Sequence, residues 1–297
     1  MNKCIQHSTC YQFADDTCLL IADKDPELAI GRLQSDLNSL ARWCHDSGLV
    51  LNANKTKLLV IKSPYITLTS FKKKLVAHDH NCLHSSNCKT CQCPFIETVD
   101  RHMYLGVLMD SKFNWSLHIE YVCSNLRQFL ANMKILSRRI PFKTKLMLYN
   151  TLAESYIQYG LLCYGRTFKT YVSRIYELQL KIIKTIVSTN VKPQYTHDEK
   201  GLFKHCKIMN IYSLIKYTLL KHYYFNTSVK SVIKHPIYTR AIAQNQLFQP
   251  SANNAYGERT ANYIIPRLIN NLPTDLIEKI TPSNYKFKLK TIFLTNQ

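Results

Sequence analysis

Acidic residues are scarce in this chain. Its 297 residues contain 19 Asp and Glu against 39 Lys and Arg, a formal net charge of +20. The shortage is uneven. Residues 1–115 hold 11 acidic and 13 basic side chains, whereas residues 116–297 hold 8 and 26, a net of +18. A surface so poor in negative charge suits a densely charged polyanion, and a nucleic-acid backbone fits best; charge serving solubility alone is the blander reading. Long apolar runs are also missing. None approaches the roughly 20 residues that a membrane helix needs, and no apolar signal-peptide core follows Met1. An intracellular protein, nuclear or cytoplasmic, with no membrane partner is therefore expected. The chain shows no Ser/His/Asp triad, Walker loop, dinucleotide fingerprint or internal repeat. Of its eleven cysteines, Cys18, Cys44, Cys123 and Cys163 stand singly in apolar contexts, which suits reduced thiols better than a disulfide framework.

What is present divides into two patterns, within a length that allows one large domain or two ordinary ones. Residues 10–13 and 17–22 read as short strands joined by a tight turn at Ala14-Asp15-Asp16. Asp25, Pro26 and Glu27 form a helix-start signal, and Leu33, Leu37, Leu40 and Cys44 line one face of the helix that follows. Gly48 suits its end. "LVLNANKTKLLVI" predicts two strands around an Asn-Ala-Asn-Lys turn, and "HMYLGVLMD" predicts strand structure around Gly106. From about Trp115 the pattern is helical. Ile119, Val122, Leu126 and Met133 mark one helix, and Leu146, Tyr149, Leu152 and Tyr156 a second. Ile175, Leu178, Ile182 and Ile186 mark a third, and Ile211, Leu214 and Leu220 a fourth. Residues 245–262 read as loop, and the tail as short helices broken by prolines. The fold class expected is α+β: a small antiparallel sheet with a helix, then a mostly helical region.

Asp15 and Asp16 are the first chemical candidates. A hairpin tip can hold paired carboxylates close to another strand, as phosphoryl transfer with two Mg²⁺ ions requires. The dipeptide alone is weak, since most such pairs are solvated turns. Its surroundings carry more. "FADDT" between apolar strands resembles the Phe/Tyr-Ala-Asp-Asp hairpin of reverse transcriptases. "GLVLNANKTKLLVI" resembles the segment that follows in the palm of non-LTR, LINE-type retrotransposon polymerases. "YLGVLMDSKFNWSLHIEYV" resembles their primer-grip hairpin leading into the thumb. "LMLYNTLAESYIQYGLLCYG" is similar to the thumb, and "HPIYTRA" with "LINNLP" to the C-terminal tail of jockey-like elements. The motifs occur in the family's order.

The resemblance implies an RNA-directed DNA polymerase that extends a DNA primer on an RNA template with dNTPs and Mg²⁺. By the same resemblance, Asp15 is a metal ligand and Asp16 its partner. Phe13 packs beside the primer terminus, Lys55 lies near the incoming triphosphate, and Tyr104, Leu105 and Gly106 form the primer grip. Residues 1–115 become a partial palm with a Cys/His-rich insertion at about 76–95, residues 116–190 a helical thumb, and residues 191–297 a C-terminal helical and loop region. One departure matters. The family's palm carries a further catalytic aspartate upstream, with fingers before it, and residues 1–14 have no room for either. Asp25 is better explained as a helix cap, and Asp23 lies beyond the strand leading from the tip. The expectation is a catalytically incomplete C-terminal fragment, with Met1 an internal start, a gene-model boundary or the mark of a degenerate copy. The alternatives are a non-enzymatic basic nucleic-acid-binding remnant and a pseudogene product.

"HDHNCLHSSNCKTCQC" is the second candidate. Cys88-x2-Cys91 has the spacing of a zinc knuckle, and Cys93 with Cys82 or His84 would complete a tetrahedron. The set taken is Cys82, Cys88, Cys91 and Cys93, holding Zn²⁺ structurally within the excursion. The competing reading is an irregular surface loop.

Overall fold

The computed structural model describes residues 4–62, 74–79, 82, 91–187, 198–225, 247–273 and 282–295. They divide into two compact units, 1–113 and 114–297.

The first unit begins with a hairpin of β1 (Thr9–Phe13) and β2 (Asp16–Leu20), antiparallel, with Phe13 opposite Asp16. Helix α1 (Pro26–Asp46) follows. The Asp25 carboxylate accepts the Glu27 N–H at 3.0 Å, and Pro26 occupies the first helical position, where its missing donor costs nothing. The helix ends as the sequence predicts: Gly48 has φ +69°, and the Leu49 N–H returns to the Cys44 carbonyl at 2.7 Å. Leu33, Leu37 and Leu40 are buried. Ile30, Leu33 and Leu37 pack against Leu75, Ala77 and Ile96 from the excursion, making this unit's core. Each leucine or isoleucine among them contributes roughly 1.5–3 kcal/mol when fully buried.

The strands after α1 depart from expectation. Only Lys57–Leu59 is a strand (β3), and its partner is β4 (Glu97–Val99), in parallel. Residues 49–51 form no strand, and Val50 is 93% exposed. The predicted hairpin is replaced by a capped turn: the Asn52 side chain accepts the Lys55 N–H at 3.1 Å, and the Asn52 carbonyl accepts the Thr56 N–H at 3.0 Å. The sheet of β3 is closed from a distance by a crossover, as parallel pairing requires. β5 (Arg101–Tyr104) and β6 (Val107–Asp110) form a second antiparallel hairpin. The described residues of the unit thus form three two-stranded sheets.

The second unit is helical in its described residues. It contains α2 (Ser116–Leu136), α3 (Phe142–Leu148), a π-helical turn at Tyr149–Ala153, α4 (Glu154–Gln158) and α5 (Leu161–Tyr164). α6 (Lys169–Val187), α7 (Glu199–Cys206), α8 (Ile211–Phe225), α9 (Ala261–Asn270) and α10 (Pro282–Thr295) complete it. The main pairing is α2 on α6. All the positions predicted to be apolar on α2, α6 and α8 are buried. The second predicted helix differs. Lys145, Tyr149, Ala153 and Ile157 are buried, while Leu152 and Tyr156 are 47% and 45% exposed. The π-turn inserts an extra residue, so the inward stripe runs at a spacing of four and moves off the 3.6-residue pattern. Pro266 lies inside α9 without ending it, against the expectation of a break.

Gln179 ties this core together. Its amide nitrogen donates to the Tyr149 hydroxyl at 2.7 Å and the Met209 carbonyl at 2.9 Å, and its oxygen accepts the Ile211 N–H at 2.9 Å. Burial raises the Tyr149 phenol far above its ordinary value, so it stays neutral and its oxygen can accept. No helix among the described residues is long and apolar enough to cross a membrane.

Candidate active site

Two hairpin tips in the first unit carry most of the predicted site residues. In the first, the register leaves Ala14 and Asp15 as the turn, with Asp16 opening β2. Both aspartates are exposed, and Phe13 beside them is 65% exposed. Ala14 has φ +50°, in the left-handed region. That conformation costs an L-residue about 1–2 kcal/mol. The strain lies immediately before the paired carboxylates.

The second tip repeats this design. Tyr104 pairs with Val107, and the two residues between them, Leu105 and Gly106, have φ +45° and +74°. Two successive positive φ values match the right-handed twist of a two-residue hairpin. Gly106 adopts this at no steric cost, but Leu105 is strained there. Burial is the main cause that raises the Tyr104 phenol above its ordinary value, and the Cys18 thiol and the Asp16 carboxylate add to it. The structure therefore brings Tyr104 within electrostatic reach of Asp16. Lys55 lies elsewhere in the unit, exposed on the Asn52 turn.

The carboxylate pair has the donor chemistry that Mg²⁺ takes. Its oxygens are hard and belong to two exposed, consecutive residues, and Mg²⁺ is commonly held by one or two carboxylates with waters and substrate phosphates as its other ligands. Among the described residues, no group of three or more His, Cys, Asp or Glu donors includes Asp15 or Asp16. Asp23 is engaged otherwise: it receives the Arg32 guanidinium at 2.6 Å and the Asp25 N–H at 3.1 Å.

A residue outside the predicted set positions the first hairpin. Asp36 is a carboxylate buried on the apolar side of α1. One of its oxygens accepts the Gln6 N–H at 2.9 Å. The other accepts the His7 N–H at 3.0 Å and both the Ser8 N–H and hydroxyl at 2.6 Å. Burial alone would raise its pKa. The hydrogen bonds from Ser8, Gln6 and His7 outweigh that and hold it below the ordinary carboxylate value. The segment that feeds β1 is thereby clamped to α1. The one signal in the sequence was a charge at the i+3 position from Leu33, within the apolar stripe.

The cysteine-rich excursion is only partly as predicted. Donor atoms of His78, Cys82, Cys91 and Cys93 all lie within 4.8 Å of one another. Cys88 and His84 lie outside the described residues, as does "HPIYTRA" of the tail.

Comparison with known proteins places the chain in a distant reverse-transcriptase-like relationship. Over 184 residues it is 23% identical to the RNA-directed DNA polymerase from mobile element jockey of Drosophila melanogaster. The match covers 59% of this chain and 17% of the jockey protein. The chain therefore corresponds to under one fifth of that relative's length. No family model matches, and no solved structure does.

Proposed function

We propose that this chain contributes the end of the palm and the thumb to an RNA-directed DNA polymerase of the non-LTR retrotransposon type. The first unit is the palm portion, the helices to about residue 190 are the thumb, and the remainder is the C-terminal region. The observation that carries this reading is the first hairpin, whose tip presents Asp15 and Asp16 exposed beside Phe13; a second hairpin holds the strained Tyr104-Leu105-Gly106 turn. The jockey relationship supports it.

In this role Asp15 and Asp16 would hold Mg²⁺, which would supply activation of the primer 3′-hydroxyl and charge compensation for the leaving pyrophosphate. The protein's own contribution is placement. The exposed Phe13 ring packs against the last primer nucleotide. The Leu105-Gly106 turn brings backbone close to the primer strand, because Gly106 has no side chain to intervene. Lys55 offers a cation to the triphosphate. The described residues supply two of the three carboxylates such palms use, so the chain alone is proposed to bind a primer–template without extending it at an enzyme's rate.

Primer extension and Fe²⁺-directed cleavage test this reading together. Fe²⁺ replaces Mg²⁺ at carboxylate sites and, given hydrogen peroxide and ascorbate, generates hydroxyl radicals that cut nearby backbone. With an RNA template, a DNA primer and dNTPs, backbone cleavage is expected around residues 14–17 and 104–106, and Asp15→Asn abolishes it. Absence of cleavage there, or cleavage that survives Asp15→Asn with Asp16→Asn, overturns the assignment. Brisk extension by the chain alone overturns the incompleteness.

A second reading rests on charge. The net of +18 over residues 116–297 suits a non-enzymatic basic clamp for nucleic acid. It predicts duplex binding that weakens steeply with salt and ignores both the metal and Asp15→Asn.

A further inference from the structure

The excursion between β3 and β4 ends on a short ladder. The Ala77 N–H donates to the Pro94 carbonyl at 2.9 Å, the Ile96 N–H to the Leu75 carbonyl at 2.8 Å, and Val76 and Phe95 bridge antiparallel. α1 fixes this ladder through Gln34, whose side chain accepts the Val76 N–H at 2.8 Å and donates to the Val76 carbonyl at 2.9 Å. His78 directly follows one ladder strand and Cys93 directly precedes the other, so the ladder sets them side by side. The Asp79 carboxylate accepts the Cys82 N–H at 2.8 Å and turns Cys82 back toward the same point.

From this geometry we infer that His78, Cys82, Cys91 and Cys93 form a structural zinc site. The Cys91 sulfur lies 3.6 Å from His78 Nδ1, and the Cys93 and Cys82 sulfurs are 3.3 Å apart. A zinc tetrahedron, with Zn–S of about 2.3 Å and Zn–N of about 2.0–2.1 Å, has S···N edges of about 3.6 Å and S···S edges of about 3.8 Å. All four donor atoms lie within 4.8 Å of one another, about 1 Å beyond the edge of such a tetrahedron, so a small side-chain contraction brings them onto one ion; all four residues are half-buried. A disulfide between Cys82 and Cys93 needs about 2.05 Å between sulfurs and would leave Cys91 and His78 unexplained. Three thiolates and one imidazole select zinc over Mg²⁺ or Ca²⁺. Four protein ligands leave no open position, so the ion is structural.

This set includes His78 beside Cys82, Cys91 and Cys93; Cys88 of the expected set lies outside the described residues. The site's task is to join both ends of the excursion next to the ladder that carries Leu75, Ala77 and Ile96 into the core. The ion has no part in chemistry at Asp15 and Asp16, so this site stands or falls separately from any polymerase activity.

The test uses the full chain, purified under reducing conditions. Metal analysis is expected to find one zinc per chain. Cobalt(II) added to chelator-stripped protein should give thiolate charge-transfer and tetrahedral visible bands, which zinc then bleaches. His78→Ala and Cys91→Ser should each weaken metal binding at least tenfold. Cys88→Ser and Cys163→Ser, the latter in the second unit, should leave it unchanged. Chelation should speed amide exchange at residues 74–79 and 94–96. Octahedral cobalt spectra, a chain that takes up no zinc, or recovery of a Cys82–Cys93 disulfide in place of metal overturns the site. Loss of zinc in Cys88→Ser with retention in His78→Ala overturns this donor set. The cobalt titration uses the unaltered sequence, so a variant that fails to fold does not blunt it.

Discussion

Replacing Asp36 with alanine removes the clamp that holds residues 6–8 against α1. Three backbone N–H groups and one hydroxyl donate to this carboxylate, at distances down to 2.6 Å. A hydrogen bond to a charged group contributes about 1.5–3 kcal/mol net. These four share one acceptor group and are not additive, and once released the donors can rehydrate. A loss of about 3 kcal/mol is expected for Asp36→Ala at neutral pH, and about half of that for Asp36→Asn, which keeps one acceptor. The pH dependence follows from the depressed pKa. The folded value lies below the ordinary 3.8, so the stabilisation is complete above that value and is lost as pH falls through the folded one. The gap between the native chain and Asp36→Asn should therefore be full at neutral pH and close only in acid, as pH falls below the ordinary carboxylate value. Hydrogen exchange read by mass spectrometry over residues 4–20, corrected for intrinsic rates, measures it. Protection across β1 should fall by about two orders of magnitude in Asp36→Ala, the equivalent of ~3 kcal/mol. Native-like exchange in both variants, or a gap that does not change with pH, would refute the clamp.

Leu105→Asn should stabilise the second hairpin by about 0.5–1 kcal/mol, since Asn tolerates the left-handed φ that strains Leu; slower exchange at residues 101–110 is the readout. If Leu105 serves the primer strand, the same variant also weakens primer–template affinity. Gln179→Leu strips partners from Tyr149, Met209 and Ile211 inside the core and should cost about 3 kcal/mol, seen as a lower urea midpoint for the second unit. Gly165→Ala places a Cβ 2.6 Å from the Leu161 carbonyl oxygen and 3.0 Å from Ile215, and should lower thermal stability by about 1–3 kcal/mol.

The parts of this molecule that rest on neighbours in sequence were legible before any coordinates. Asp25 caps α1, Gly48 closes it, and the α2, α6 and α8 stripes face inward, because capping and 3.6-residue periodicity act within a few residues. The aspartate pair likewise announced a hairpin tip, and both carboxylates stand there, exposed. Decisions made by distant chain segments were not legible. β3 pairs in parallel with a strand about 40 residues on, a partner that no local pattern names. The π-turn at 149–153 shifts the buried face from Leu152 and Tyr156 to Ala153 and Ile157, because packing against α2 and α6 outweighs regular winding. Asp36 has its role only once residues 6–8 fold onto α1. Cysteines without a standard spacing become a donor set only when the ladder sets His78 beside Cys93. Sequence alone thus determined the local elements and the place of Asp15 and Asp16 at a hairpin tip, through short-range forces. Tertiary structure alone decided which groups meet across space: Asp36 with the chain before β1, Gln179 with Tyr149 and Ile211, and His78 with three thiols.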